Sequence, residues 1–233
     1  MSAPRLTGLF LLFATALVIA QVPVSQERHH RVAFENAELR VLDVQITPGD
    51  STLDHRHEFD IATVSMMSGA TTRIQSAGTW GPVRPSRSLG DATIAEYAGK
   101  PEVHRIENVG KIPYQLFAVE NLRTSGWSTT PSAPALATTV ATESRGFRIY
   151  DVRLARESSQ TSHAHAVPTI AVLISGTVLS EGPDTQAKAN APAPVGLKQL
   201  AATGQWLLVP RGDTHHVVRL GTGDARLVEI EVR

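Results

Sequence analysis

His55-Arg56-His57-Glu58-Phe59-Asp60 is the stretch whose reading organises the chain. On a β-strand, residues i and i+2 project to one face, so His55 and His57 point the same way. Neutral imidazole is the commonest side-chain metal ligand. Two imidazoles on one strand face, joined by a third from a neighbouring strand, cap one side of an ion and leave positions open for water, dioxygen or substrate. The pattern recurs as His163-Ala164-His165, and each pair is followed about fifty residues on by a third histidine, His104 and then His215. The expected metal ligands are therefore His55, His57 and His104, with Asp60 as a fourth, and His163, His165 and His215. Nine histidines stand against three tyrosines and three tryptophans, and seven of the nine fall in or beside these motifs.

Working outward, Leu42, Val44 and Ile46 alternate with Val41, Asp43 and Gln45, a period-2 strand. Arg148 to Leu154 repeats Arg40 to Ile46 at an offset of 108, and the offset persists at the paired histidines. Near the end it is 111, with His215 for His104, Gly221 for Gly110 and Glu231 for Glu120. Such agreement indicates an internal duplication. It predicts two similar domains, 28–123 and 145–233, joined over 124–144 by a Thr/Ser/Ala/Pro-rich linker or, since Trp127 sits inside it, by an irregular strand packed at a domain interface. Short strands between turn signals, with no helical periodicity beyond a possible short helix at Gly196 to Ala202, predict an all-β chain of two tandem jelly-roll β-barrels.

Composition narrows the function. Twenty-two basic and 22 acidic residues leave no net charge, which gives no reason to invoke nucleic acid or an anionic membrane. There is no cysteine, so stability must come from packing and not from disulfides. Residues 1–20 read as a cleaved secretory signal, because the apolar run Leu6 to Ala20 is too short to span a bilayer. That predicts a periplasmic or secreted protein. No phosphate-binding glycine loop, serine nucleophile elbow or zinc-protease helix is present.

The residues also carry a family resemblance. Gly49, five residues, then His55-x-His57 resembles the first half of the first cupin motif. Gly204, five residues, Pro210-x-Gly212, two residues, His215 resembles the second, and His104 with Asn108 resembles its end in the first copy. The resemblance implies a bicupin, each barrel able to hold a divalent metal (Fe, Mn, Ni or Zn). The family's first motif also places a glutamate ligand where this chain has Ala62 and Thr169, and an asparagine where it has Arg219. Without that glutamate the second site resembles the three-histidine iron sites of some cupin dioxygenases, whose uncompensated charge favours an anionic substrate.

The remaining residues read more plainly. Residues 21–30 form an unstructured lead-in, and His29-His30 a solvated tail, the alternative being an N-terminal strand that reaches a barrel. Residues 75 to 92 form a long loop with Trp80 as a plug. Glu229 and Glu231, alternating with Val228, Ile230 and Val232, read as the wet face of an ordinary strand and not as a catalytic pair. His216 faces away from His215. Tyr97 and Tyr114 either pack or serve as general acids. The functional expectation is an exported metal-dependent protein acting on a small oxygen-chelating organic molecule, by dioxygenase-like or Lewis-acid chemistry. The alternative is a non-catalytic binding protein for a sugar or organic acid. Barrel edge strands make a homodimer possible.

Overall fold

A computed structural model describes residues 21–129, 138–156, 158–181 and 198–233. The signal over 1–20, part of the linker and most of the polar excursion over 181–203 lie outside the described residues.

The first half contains β1 (Val22–Pro23), β2 (His30–Glu35), β3 (Leu39–Ile46), β4 (His55–His57), β5 (Asp60–Ser65), β6 (Thr72–Ser76), β7 (Thr79–Trp80), β8 (Ala92–Ala95), β9 (Glu102–Asn108) and β10 (Tyr114–Asn121). The second contains β11 (Thr138–Glu143), β12 (Phe147–Leu154), β13 (His163–Ala164), β14 (Thr169–Ser175), β15 (Thr177–Glu181), β16 (Lys198–Leu200), β17 (Trp206–Val209), β18 (Thr214–Leu220) and β19 (Ala225–Val232). Each half is two sheets. The orders β2-β3-β10-β5-β8 and β1-β4-β9-β6-β7 recur as β11-β12-β19-β14-β17 and β13-β18-β15-β16. The duplication read from the offset is thus a duplication of topology. We call the halves barrel 1 and barrel 2.

Three stretches differ from the sequence reading. Thr138–Glu143, inside the linker by composition, pairs with β12 and belongs to the second barrel's sheet. Residues 198–200, within the proposed short helix, are the strand β16, paired with β15. Trp80 is no plug: it sits half-exposed on the short strand β7, with the Arg73 guanidinium 4.5 Å and that of Arg105 5.8 Å from its ring centre.

The packing explains why simple alternation misleads. Inside barrel 1, Leu42, Val44, Ile61, Leu116 and Ala118 pack with Val24. Inside barrel 2, Val152, Leu173, Leu200, Leu227 and their neighbours do the same. The largest cluster lies between the barrels, where Leu39, Val41, Val64, Phe117 and Val119 meet Phe147, Ile149, Ile170, Val228, Ile230 and Val232. Strands β3, β10, β12 and β19 therefore bury both faces. Each large apolar side chain so buried contributes about 1.5–3 kcal/mol relative to exposure, and Phe147, Ile149 and Ile230 have no exposed surface. Polar clasps tie the same interface, since Asn121 Nδ2 donates to the carbonyls of Gly146 (3.0 Å) and Arg233 (2.9 Å).

Candidate metal centres

In barrel 1, β4 runs antiparallel to β9 with His55 opposite His104, and the two-residue period places His57 on the same face as His55. The three ring centres lie 4.7–5.0 Å apart. Barrel 2 repeats this on β13 and β18, with His163 opposite His215 and ring centres 4.5–5.1 Å apart. The donor atoms of each group fall within 4.8 Å of one another.

The first histidine of each pair is oriented the same way. His55 Nδ1 lies 2.9 Å from the Leu53 carbonyl, and His163 Nδ1 lies 2.9 Å from the Thr161 carbonyl. A carbonyl only accepts, so Nδ1 carries the hydrogen and Nε2 keeps a free lone pair. Both Nε2 atoms are buried without a hydrogen-bond partner. A buried polar atom left unpaired is costly, and an ion on that lone pair resolves it. In barrel 2, His165 Nε2 and His215 Nε2 stand 3.1 Å apart. Two imidazoles sharing one ion, each about 2.1 Å from it, separate by about 3 Å. The donors fit a divalent metal in both barrels.

Electrostatics agree. Burial first, then the neighbouring imidazoles, pushes His55 down to about 4 and His104 and His215 to about 3, and takes His57 well below its ordinary value. All four are neutral at pH 7, the form a metal requires.

Asp60 does not join them. It begins β5 after the chain turns at Glu58–Phe59, so the two-residue parity that linked it to His57 is broken. Its fully buried carboxylate accepts from the Ala98 N–H (2.8 Å) and from Arg145 (3.1 and 3.3 Å), at the junction with barrel 2. Asp60 clasps the two halves and is not a ligand.

Carboxylates appear instead where none was expected. Glu229 and Glu231 are each 1% exposed. They share the inward face of β19 with Leu227, while Val228, Ile230 and Val232 face barrel 1. The face that reads as wet is the barrel interior. Glu229 converges with the histidine triad, one oxygen held by Gln160 Nε2 (3.0 Å) and the other 3.8 Å from His165 Nε2. Glu231 lies 2.8 Å from His165 Nδ1 and also accepts from the Tyr150 hydroxyl (3.4 Å). A carboxylate on the far nitrogen of a ligating histidine fixes its orientation and raises its basicity. Barrel 2 therefore presents three nitrogens and an oxygen, not three histidines alone.

The amino-terminal stretch is also corrected. Val22 and Pro23 pair in parallel with His55 and Arg56. His30 is buried, its ring centre 4.7 Å from that of His55 and its Nδ1 2.6 Å from Glu27. Burial alone would raise the Glu27 carboxyl, but hydrogen bonds from His30 and from the Leu53 and His29 amides hold it near 2. Residues 21–30 are thus a wall of barrel 1. His216 is half-buried beside the buried His215.

Barrel 1 contains a cavity of about 180 Å³ lined by His30, His57, His104, Tyr97, Tyr114 and apolar side chains including Val44, Leu116 and Ala118. Tyr97 stacks on His57 with ring centres 4.9 Å apart. Burial, then the charge of Glu102, pushes its hydroxyl up to about 12, so it stays protonated.

No family model matches the sequence, and no curated protein does. The fold does find relatives. Salicylate 1,2-dioxygenase from Pseudoaminobacter salicylatoxidans, in complex with gentisate, superposes with a TM-score of 0.62 over 91% of this chain and 76% of its own, at 11% identity. A cupin 2 conserved barrel domain protein from Leptotrichia buccalis gives 0.55 over 88% of each chain, at 9% identity. Oxalate decarboxylase from Bacillus subtilis gives 0.57 over 87% of this chain and 72% of its own, at 11% identity. The chain folds as a bicupin. At these identities the likeness is one of fold. The bicupin frame places both triads on matching strands, while Ala62 and Thr169 leave the family's glutamate position empty of a carboxylate and β19 supplies one from a different strand in barrel 2. Where the second motif's asparagine would stand, Asn108 closes the β9–β10 turn by bonding the Ile46 and Ile112 carbonyls, and Arg219 does the same work at Gly221 and Gly223. Sequence reasoning missed Glu229, Glu231 and His30. Aligning the copies offers a signal for the first, since the interior position held by Glu229 is Ala118 in barrel 1 and the inner face of β19 carries more charge than a barrel core needs.

Proposed function

We propose that this bicupin is an exported, metal-dependent protein in which barrel 1 holds a divalent ion on His55, His57 and His104 and acts on a small organic molecule bound through oxygen atoms. What carries the reading is a buried triad of neutral imidazoles, one with an orphaned lone pair, opening on a cavity of about 180 Å³. A bound ion would supply Lewis acidity and, if redox-active, a site for dioxygen chemistry. The chain's own residues set the rest. Leu53 fixes the His55 tautomer, Tyr97 braces His57, and the Tyr97 hydroxyl keeps its proton for donation to an oxygen of the bound molecule. Val44, Ile106, Leu116 and Ala118 line the cavity with apolar surface and limit water. In barrel 2, His163, His165, His215 and Glu229 would hold a second ion.

Elemental analysis of protein purified without chelator should find close to two metal ions per chain, one of them lost in His57→Ala. Protein that carries no metal and recruits none on titration would overturn the reading. Binding without turnover is the second reading, and the cavity's presence favours it equally. Calorimetry with and without chelator separates them, since a simple pocket binds its ligand regardless of metal.

A further inference from the structure

The cavity in barrel 1 lies beside a larger chamber of about 420 Å³, and Ile74, Arg84, Arg87, Thr93 and Tyr114 line both. The two arginines therefore stand between the two chambers and line each of them. Arg84 is placed by an isolated bridge to Thr72, its amide bonded to the Thr72 carbonyl at 2.7 Å. Arg87 is fixed by neutral acceptors, the Thr63 hydroxyl (3.2 Å) and the Asp91 carbonyl (2.8 Å). Among the described residues neither guanidinium pairs with a carboxylate, and neither chamber is lined by an acidic side chain. Arginine is held permanently cationic and presents a planar fork that matches a carboxylate. Two such cations on the wall of a cavity that no acidic side chain lines form a site ready for an anion, with Glu27 and Glu102 engaged behind it at His30 and His104.

The inner cavity also limits size. A cavity of about 150 Å³ takes up benzene, so one of about 180 Å³ admits a body near a single six-membered ring. Its apolar lining suits such a body, with polar groups confined to the histidines, tyrosines and arginines.

We infer that the molecule barrel 1 takes is a small organic monoanion, a carboxylate on a body no larger than one six-membered ring, with Arg84 and Arg87 receiving the carboxylate and the cavity beside His57 and His104 receiving the rest. This rests on the proposed function for where the molecule reacts, but not for how it is gripped. Barrel 1 and not barrel 2 is the anion site, because Arg84 and Arg87 line its cavity and no carboxylate stands among its donors, whereas Glu229 stands among those of the second triad.

Calorimetric titration of the metal-loaded chain with acetate and benzoate, each against its neutral amide, tests this. Benzoate should bind and benzamide should bind at least about tenfold more weakly. Arg84→Ala and the charge-keeping Arg87→Lys should each weaken benzoate roughly 10–100-fold, the size of one hydrogen bond to a charged group. Metal content, measured on every variant, should not change. Amides that bind as well as their anions, arginine variants that bind benzoate like the parent, or a parent that binds neither anion would each overturn the inference. Protein that carries and recruits no metal yet binds benzoate through the arginines would support it while removing the metal reading. A fully metallated chain with no preference for anions would do the reverse.

Discussion

The two barrels share a strand order, a histidine triad and even the carbonyl that orients the first histidine, yet they fill their interiors differently. Aligned by the repeat, Leu42, Thr52 and Ala118 of barrel 1 stand where barrel 2 has Tyr150, Gln160 and Glu229. In barrel 2 these side chains form one connected set, with Gln160 on Glu229 and Tyr150 on Glu231. In barrel 1 the short Ala118 lines an open cavity instead. Even Glu120, the partner of Glu231, is diverted: it pairs with Arg40 at 2.6 Å and touches no histidine. The lesson concerns charge. Buried carboxylates cost several kcal/mol unless compensated, and among the described residues the hydrogen bond on Glu229 comes from a neutral amide, with His165 Nε2 3.8 Å away. A cation among the four donors would compensate it. In barrel 1 no carboxylate stands among the donors, although Glu27 pairs with His30 and Glu102 lies 3.6 Å from His104 Nδ1, so part of the compensation is left to whatever enters.

The largest effects come from the triads. His57→Ala should strip one metal ion and weaken benzoate, which loses a wall of its cavity but keeps the arginines, while His165→Ala should strip the other ion and leave benzoate binding intact. Elemental analysis with calorimetry reads both. If His165→Ala silences barrel 1 as fully as His57→Ala does, the division of labour is wrong. A smaller effect sharpens the same contrast. Glu231→Gln keeps its shape but loses its charge on His165, and removing such an outer partner weakens a metal site roughly 10–100-fold. Competition with a coloured chelator should show that loss for one ion only. Equal weakening of both ions would mean that the carboxylates do not distinguish the barrels.

The histidine triads were legible because a strand's two-residue period is a local rule, and because the repeat shows it twice. The paired sheets were legible for the same reason. What misled was burial on both sides. Val228, Ile230 and Val232 look like a core face and Glu229 and Glu231 like its wet reverse, but the apolar face meets the other barrel and the acidic face lines the interior. No local pattern distinguishes a strand packed against solvent from one packed against a sister domain. Asp60 failed differently, since parity was counted across a bend. His30 was hidden because its place is set by non-local pairing, opposite Val44 on β3, and by Glu27 from the irregular stretch before β2.

The smallest effect compares the third histidines. His104 and His215 are each held near 3, by burial first and by neighbouring imidazoles next. An unfolded imidazole titrates near 6.5. Above that pH neither state binds a proton, so these groups leave stability unchanged. As pH falls through 6.5 the unfolded chain takes up protons that the folded chain refuses, and the metal-free protein loses stability until about pH 3. By pH 5.5 the loss is roughly 1 kcal/mol for each such group relative to pH 7. Denaturant unfolding of metal-free protein should therefore show a shallower decline between pH 7 and 5.5 in His104→Gln and in His215→Gln, by about the same amount in each. If only His104→Gln flattens the curve, Glu229 and Glu231 are relieving the charge on His215, and the acid response of the two barrels differs as their interiors do.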